Sequence, residues 1–204
     1  MESTDRRETR NVATGIVLAA GRSTRMGRPK ALLVRDGESF LDRCARVLRA
    51  GGCTDLVVVV NGADGATLAA AERAGRTVIA PPEVAPMPID SLRLGVHALS
   101  GDAACAVVLP VDCPFVDART VRALLASYGG EACDAVVPVF GGEPGHPVLL
   151  GRALFAQLER QWPEGLRSLL DAHADRVVRM ETQDAGVTVD VDTPLDARRA
   201  GVDA

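Results

Sequence analysis

The sequence predicts an α/β domain built on a mostly parallel sheet. Short apolar runs, Gly15–Ala20, Leu56–Val60 and Ala106–Leu109, recur along the chain. Unbroken runs of this kind mark strands buried on both faces, as strands of parallel sheets are. Segments with apolar residues at helical spacing lie between them, and the connections are short. A length of 204 residues, 47% hydrophobic but only 3% aromatic, suits one domain with an aliphatic core. The expected boundaries are a disordered tail over 1–12 and a single domain over 13–204.

Taken in order, Met1–Asn11 is charged and lacks apolar periodicity, which reads as a frayed end. After the strand at Gly15–Ala20, Leu41, Cys44, Ala45 and Leu48 fall on one helical face, and Gly51-Gly52 stops that helix. Leu56–Val60 is a strand, Gly65–Ala74 a helix and Thr77–Ala80 a short strand. Pro81, Pro82, Pro86 and Pro88 mark an irregular loop. Asp90 or Ser91 is then placed to cap a helix carrying Leu92, Val96 and Leu99. Ala106–Leu109 is a strand ending at Pro110-Val111-Asp112-Cys113-Pro114. Val121, Leu124, Leu125 and Tyr128 mark the next helix, and Ala135–Val139 the next strand. A glycine-rich turn, Gly141–Gly145, leads into His146–Leu150. Helices are expected near Arg152–Arg160 and Pro163–Ala172, strands near Arg176–Glu181 and Val187–Val191, and a final helix from Pro194 towards Ala200.

Composition excludes several functions. With 23 Lys and Arg against 27 Asp and Glu the net charge is −4, which disfavours a nucleic-acid surface. No apolar run reaches membrane-spanning length and the start lacks a signal-peptide core, so a cytoplasmic protein without a membrane partner is expected. The five cysteines, Cys44, Cys53, Cys105, Cys113 and Cys133, form no C-x-x-C pair and read as reduced core thiols. No local Ser/His/Asp or Cys/His triad is suggested.

The chemistry concentrates in Gly15–Leu33. The strand breaks into a loop with Gly21, Arg22, Arg25, Gly27, Arg28, Pro29 and Lys30, four cations in ten residues of an acidic chain. Loop N–H groups and cations together suit a polyphosphate. The spacing matches neither the Walker A loop nor the dinucleotide fingerprint, which disfavours a nicotinamide dehydrogenase. In open α/β sheets ligands bind beyond the carboxyl ends of the strands, where this loop and Asp112 both fall. In Val187-Thr188-Val189-Asp190-Val191-Asp192, strand alternation puts Asp190 and Asp192 on one face, roughly 6.5–7 Å apart. Carboxylates facing a cationic phosphate loop suggest Mg²⁺, commonly held by one or two carboxylates plus substrate phosphates. The implied chemistry is attack on a nucleoside triphosphate without a protein nucleophile. Plain structural roles stand beside these readings. The loop could be a solvated turn, Asp112 a turn acid, and His146 part of a Gly-His-Pro turn; Ser91 and Arg93 could close over base or ribose, or serve their helix alone. Thr193-Pro194-Leu195-Asp196 is a helix start with a box-like cap. His97 and His173 read as structural.

Leu18-Ala19-Ala20-Gly21-x-x-x-Arg25-Met26-Gly27-x-x-Lys30 resembles the nucleotide-binding signature of the nucleotidyltransferases that build molybdenum cofactor dinucleotides. Ser91-Leu92-Arg93-x-Gly95, Asp112-x-Pro114, Gly145-His146-Pro147-Val148 and Asp190-Val191-Asp192-Thr193-Pro194 follow in the family's order. The resemblance runs from Thr14 to about Ala200. It implies a single Rossmann-like three-layer domain and Mg²⁺-dependent transfer of NMP from NTP to a phosphorylated acceptor of molybdopterin type, releasing pyrophosphate. Leu18, Ala19, Ala20 and Gly21 would hold base and ribose, joined by Arg22, Ser91 and Arg93. Arg25 and Lys30 would bind the triphosphate, Asp112 would hold Mg²⁺ with Asp192 or Asp190, and His146 and the Ser91–Gly95 segment would lie towards the acceptor. Gly145–Val148, and Ala20 where guanylyl-transferring relatives usually have Gly, point to CTP. A molybdoenzyme or its chaperone is an implied partner. Two departures, Pro86–Asp90 in place of a Gly/Ser-rich segment and Cys113 in place of the cytidylyltransferases' Gln, bear on the acceptor. Other readings are the same chemistry on another small phosphate or with GTP, and a non-catalytic module that delivers a cofactor.

Overall fold

The computed structural model describes residues 12–62, 64–81 and 87–202. The expected tail at Met1–Asn11, and Pro82 and Pro86 of the proline loop, lie outside the described residues. Val12, placed in the tail, begins the first strand.

The strands are β1 (Val12–Ala19), β2 (Val34–Arg35), β3 (Glu38–Ser39), β4 (Asp55–Asn61), β5 (Arg76–Ala80) and β6 (Ala103–Pro110), then β7 (Ala135–Phe140), β8 (Glu143–Pro144), β9 (Val148–Gly151) and β10 (Val177–Glu181). The helices are α1 (Phe40–Gly51), α2 (Gly65–Ala74), α3 (Pro88–His97), α4 (Ala118–Ser127), α5 (Leu166–Ala172) and α6 (Pro194–Arg199). The main sheet runs β10-β7-β9-β6-β1-β4-β5, with β8 hydrogen-bonded to β7. Pairing is parallel for β1 with β4 and β6, β4 with β5, and β7 with β10. The reversed strand β9 is antiparallel to both β6 and β7. The sheet is thus mixed but mostly parallel, flanked by helices.

The central strands are apolar on both faces because both faces are covered. Val17, Ala19, Val58, Val60, Val107 and Leu109 meet the layer formed by α1, α2, α4 and α6. Ile16, Val57, Val59, Ala106 and Val108 meet α3, α5 and the chain around Leu154 and Leu158. Helix α1 begins where Ser39 Oγ accepts the Asp42 N–H at 3.1 Å, and ends at Gly52, whose φ of 114° suits a residue without Cβ. Its Leu41, Cys44 and Leu48 are fully buried, and truncating Leu48 to Ala is expected to cost about 2–5 kcal/mol.

Four local expectations change. Asp90 and Ser91 do not cap α3: Pro88 occupies its first position and the cap is Met87, so both lie within the helix. Arg152–Arg160 forms two 3-10 turns, Arg152–Leu154 and Ala156–Glu159, instead of a helix. The helix expected from Pro163 begins only at Leu166, after Gly165 at φ 62°. Val187–Val191 is no strand; a 3-10 turn, Ala185–Thr188, leads into an irregular segment. Asp184 sets that turn by accepting from Gly186 N at 2.9 Å, while Gly186 lies against Phe115 so closely that a Cβ would meet its carbonyl oxygen at 2.1 Å. The capping box at Thr193 and Asp196 opens α6 as expected. All five cysteines are free and buried. No helix of the described residues is long and apolar enough to cross a membrane.

Candidate functional site

The loop after β1 folds back on itself. Ser23, at φ 49°, accepts the N–H groups of Met26 and Gly27 on its carbonyl, each at 3.0 Å. Its hydroxyl oxygen accepts the Lys30 N–H at 3.1 Å. Gly27 closes the turn at φ 76°, a conformation costly for a side chain. The turn delivers Lys30 to the carboxyl end of the sheet.

There Lys30 meets two carboxylates distant in sequence. Its Nζ donates to Asp112 Oδ2 at 2.9 Å and to Asp192 Oδ1. Arg25 Nη2 lies 2.9 Å from the other Asp192 oxygen. Asp112 follows β6, whose last turn is pinned to β1 by Val111 N–H donating to Leu18 O at 3.0 Å. The chain carrying Asp192 is tied to the same place, because Val191 N–H donates to Asp112 O at 2.9 Å. The Lys30 side chain is 12% exposed and that of Arg25 69%, so the Lys30 bonds are shielded and the Arg25 pair is screened by water.

Burial works against the Lys30 ammonium, but the bonds to Asp192 and Asp112 outweigh it and hold its pKa above the ordinary value. The Lys30 bond holds the Asp192 carboxyl below its ordinary value against burial, with Arg25 assisting. His146 lies half-buried nearby, its backbone N–H bonded to Val187 O at 2.8 Å and its Nδ1 covered without a hydrogen-bond partner. Burial pushes the imidazole below its ordinary pKa, opposed by Asp112 and Asp190. Burial thus favours the uncharged ring.

A cleft of about 1710 Å³ joins these groups. Leu18, Ala19, Ala20, Gly21, Arg22, Arg25 and Lys30 line it, and so do Ser91, Asp112, His146, Asp190 and Asp192. Arg93 is the exception. It does not line the cleft; its guanidinium bonds Leu158 O at 2.8 Å and Asp90 at 2.8 Å, fastening α3 to the second 3-10 turn. Asp190 is exposed and, unlike Asp192, bonds neither Lys30 nor Arg25, so the pair does not act as twin acids on one strand face. Sequence reading missed Ser23, although a hydroxyl inside a glycine-flanked loop is a recognised turn former. It also missed Asp184, which accepts from Asp117 N at 2.8 Å and Thr120 Oγ1 at 2.7 Å and anchors the chain leading to Asp192; nothing local marks it.

Among the described residues no three His, Cys, Asp or Glu gather as a complete metal cage. Two carboxylates bridged by an ammonium fit a cation that draws its remaining ligands from water and phosphate. Asp112 Oδ1 receives only a 3.8 Å contact from the Cys113 thiol, whose pKa burial raises, leaving an oxygen for a metal.

A model of the MobA-like NTP transferase domain matches residues 15–177. The molybdenum cofactor guanylyltransferase of Xanthomonas euvesicatoria pv. vesicatoria is 36% identical over 113 residues, 55% of this chain and 53% of that protein. The nicotine blue oxidoreductase of Paenarthrobacter nicotinovorans is 35% identical over 121 residues, 56% of each. A probable molybdenum cofactor guanylyltransferase of Methanothermobacter thermautotrophicus is 32% identical over 141 residues, 67% of this chain and 70% of that protein. The chain thus spans about half the length of the first two curated relatives. These names include guanylyl transfer but not cytidylyl transfer. Among solved structures, Rv0371c of Mycobacterium tuberculosis H37Rv aligns with a TM-score of 0.81 at 31% identity, covering 92% of this chain and 97% of that one. A complex of Rv0371c with manganese aligns at 0.76, 30% identical, over 93% and 97%. The geometry at Lys30, Asp112 and Asp192 lies on a chain that belongs to the MobA-like NTP transferase family.

Proposed function

We propose that the protein is a Mg²⁺-dependent nucleotidyltransferase that moves the NMP of GTP or CTP onto the phosphate of a molybdopterin-type acceptor, releasing pyrophosphate. The observation that carries this reading is the convergence of Lys30, Asp112 and Asp192 beside a cationic, glycine-bearing loop. The base and ribose lie against Leu18–Gly21, and the triphosphate runs over Arg22, Arg25 and Lys30. Asp112 and Asp192 would hold the divalent cation, which when bound neutralises phosphate charge at the reacting centre. Lys30 exchanges its carboxylate partners for phosphate oxygens and stabilises the charge that grows on departing pyrophosphate. His146 lines the cleft on the side given to the acceptor. Ser91 contributes a hydroxyl to the nucleotide side. Positioning and charge neutralisation suffice, so no protein nucleophile is needed.

Two observations pull the base in different directions. The names of the relatives favour GTP, whereas Ala20 and Gly145-His146-Pro147-Val148 favour CTP. The test is pyrophosphate release with each of the four NTPs, Mg²⁺ and molybdopterin, beside a no-acceptor control. Acceptor-dependent release with one base fixes reaction and base together. Silence with all four overturns the proposal.

A further inference from the structure

Asp192 reaches the site on chain that belongs to no strand or helix. Residues 189–193 are irregular, and Thr188, Val189 and Asp190 are exposed. No sheet ladder holds such a segment, so its fixed place has to come from other bonds. Those bonds run in order along the stretch that starts at Asp112. Val191 N–H donates to Asp112 O at 2.9 Å. Gly186 packs on the Phe115 carbonyl, where an added Cβ would lie 2.1 Å from the oxygen. Asp184 Oδ2 accepts Asp117 N–H at 2.8 Å and the Thr120 hydroxyl at 2.7 Å. Partners that advance from Asp112 to Thr120 on one side retreat from Val191 to Asp184 on the other, so the two segments lie side by side in opposite directions.

Asp184 closes the far end of this pairing. Its other oxygen, Oδ1, accepts Gly186 N–H at 2.9 Å, and its own N–H donates to Thr182 Oγ1 at 3.1 Å. One carboxylate thus takes three donors from two stretches of chain, two of them at the start of α4. Bonds to an ionised acceptor are roughly twice as strong as those between neutral groups. Asp184 does not line the cleft, so whatever it does for the site it does through the backbone of 184–192.

We propose that Asp184 is a positioning residue for the cation site. By clamping 184–192 along the stretch from Asp112 to Thr120, it holds the Asp192 carboxylate opposite that of Asp112 before a metal arrives. Ligands oriented in advance by the groups around them bind a metal more tightly than ligands that must be ordered by it. The nucleotide groups of the loop after β1, from Leu18 to Lys30, lie on chain that Asp184 does not bond. Its effect therefore falls on the metal and spares nucleotide binding without metal. This inference rests on the reading of Asp112 and Asp192 as metal ligands in nucleotidyl transfer.

The test measures GTP and CTP binding to the full chain by calorimetry, in EDTA and across a Mn²⁺ titration, with no acceptor present. Asp184→Asn keeps the shape of the side chain but turns one acceptor oxygen into a donor facing a donor. The Mn²⁺ needed for half of the metal-induced gain in nucleotide affinity is expected to rise at least about tenfold, while affinity in EDTA changes less than about twofold. Thr120→Val removes a single bond and should raise the Mn²⁺ requirement about threefold. A general loosening of the fold would lower both affinities together. An unchanged Mn²⁺ requirement in Asp184→Asn, or parallel losses with and without metal, overturns the proposal; if Asp184→Asn does not fold, Thr120→Val decides by the same criterion. A parent protein that gains nothing from Mn²⁺ removes the metal site, the nucleotidyl-transfer reading and this role together. A parent that gains while Asp184→Asn matches it removes the role of Asp184 alone.

Discussion

Replacing Lys30 by Met removes the ammonium that bonds both Asp112 and Asp192 and leaves two carboxylates facing each other. Removing one partner of a fully buried ion pair costs about 3–5 kcal/mol, and of an exposed pair about 0–1 kcal/mol. Lys30 is 12% exposed and the carboxylates 29% and 27%, so the case falls between these limits. A loss of about 2 kcal/mol follows, a fall of roughly 4–8 °C in Tm for a chain of this size. A divalent cation occupying the same carboxylates should repair much of that loss. In the unmodified protein it must first displace Lys30, so its effect there is smaller. The assay is thermal unfolding of both proteins in EDTA and in Mg²⁺. A variant that melts no lower than the parent in EDTA, or gains no more than the parent from Mg²⁺, would refute the placement of a cation site between Asp112 and Asp192.

The remaining expectations concern separate parts of the molecule. Asp192→Asn should lower turnover roughly 100-fold or more, while Asp190→Asn, which breaks no bond to Lys30 or Arg25, should lower it less than about tenfold; steady-state kinetics of pyrophosphate release decides between them. Gly145→Ala places a Cβ 2.2 Å from the Val187 carbonyl oxygen, in the turn that presents His146, and should cost about 2–4 kcal/mol in urea unfolding, as severe backbone conflicts do. Asp134, buried and bonded to Arg176 and His173, is held below its ordinary pKa chiefly by Arg176, against burial. Its stabilising contribution is therefore complete above the ordinary carboxylate value near 3.8 and lost as pH falls through the lower folded value. The stability gap between parent and Asp134→Asn should be constant above about pH 5 and close below that, by urea unfolding across pH. Burial pushes the Cys105 thiol up to about 11 and Cys53 up to about 12, so neither should react with a thiol reagent at pH 8 until the protein unfolds.

How much of this was legible in the sequence follows from how local each signal is. The buried strands were legible because Leu56–Val60 and Ala106–Leu109 must be apolar on both faces to lie between two helical layers. Helix α1 was legible from its single apolar face, and the cap of α6 from Thr193 and Asp196 three residues apart. Asp36-Gly37 is a readable hairpin signal that was passed over: both residues have positive φ, 55° and 76°, and they join β2 to β3. Val187–Val191 misled because its alternation imitates a strand, while its conformation is set by distant groups, Asp184 below it and Phe115 against Gly186. The signature loop and Asp112 could be placed near one another from chain direction alone. That Lys30 rather than Arg25 spans both carboxylates, and that Arg93 turns away to α3 and Leu158, depend on tertiary packing.

The central claim is that Asp112 and Asp192 form, with Lys30, the centre of a metal-dependent nucleotidyl transfer. The most direct measurement is transfer of label from α-labelled GTP and CTP to molybdopterin across a Mg²⁺ titration, with the parent, Asp112→Asn and Asp192→Asn proteins. The account predicts label in the acceptor only with Mg²⁺ present, and a demand for much more Mg²⁺ in both variants. Transfer that is independent of Mg²⁺, or variants with the parent's Mg²⁺ requirement, would contradict it.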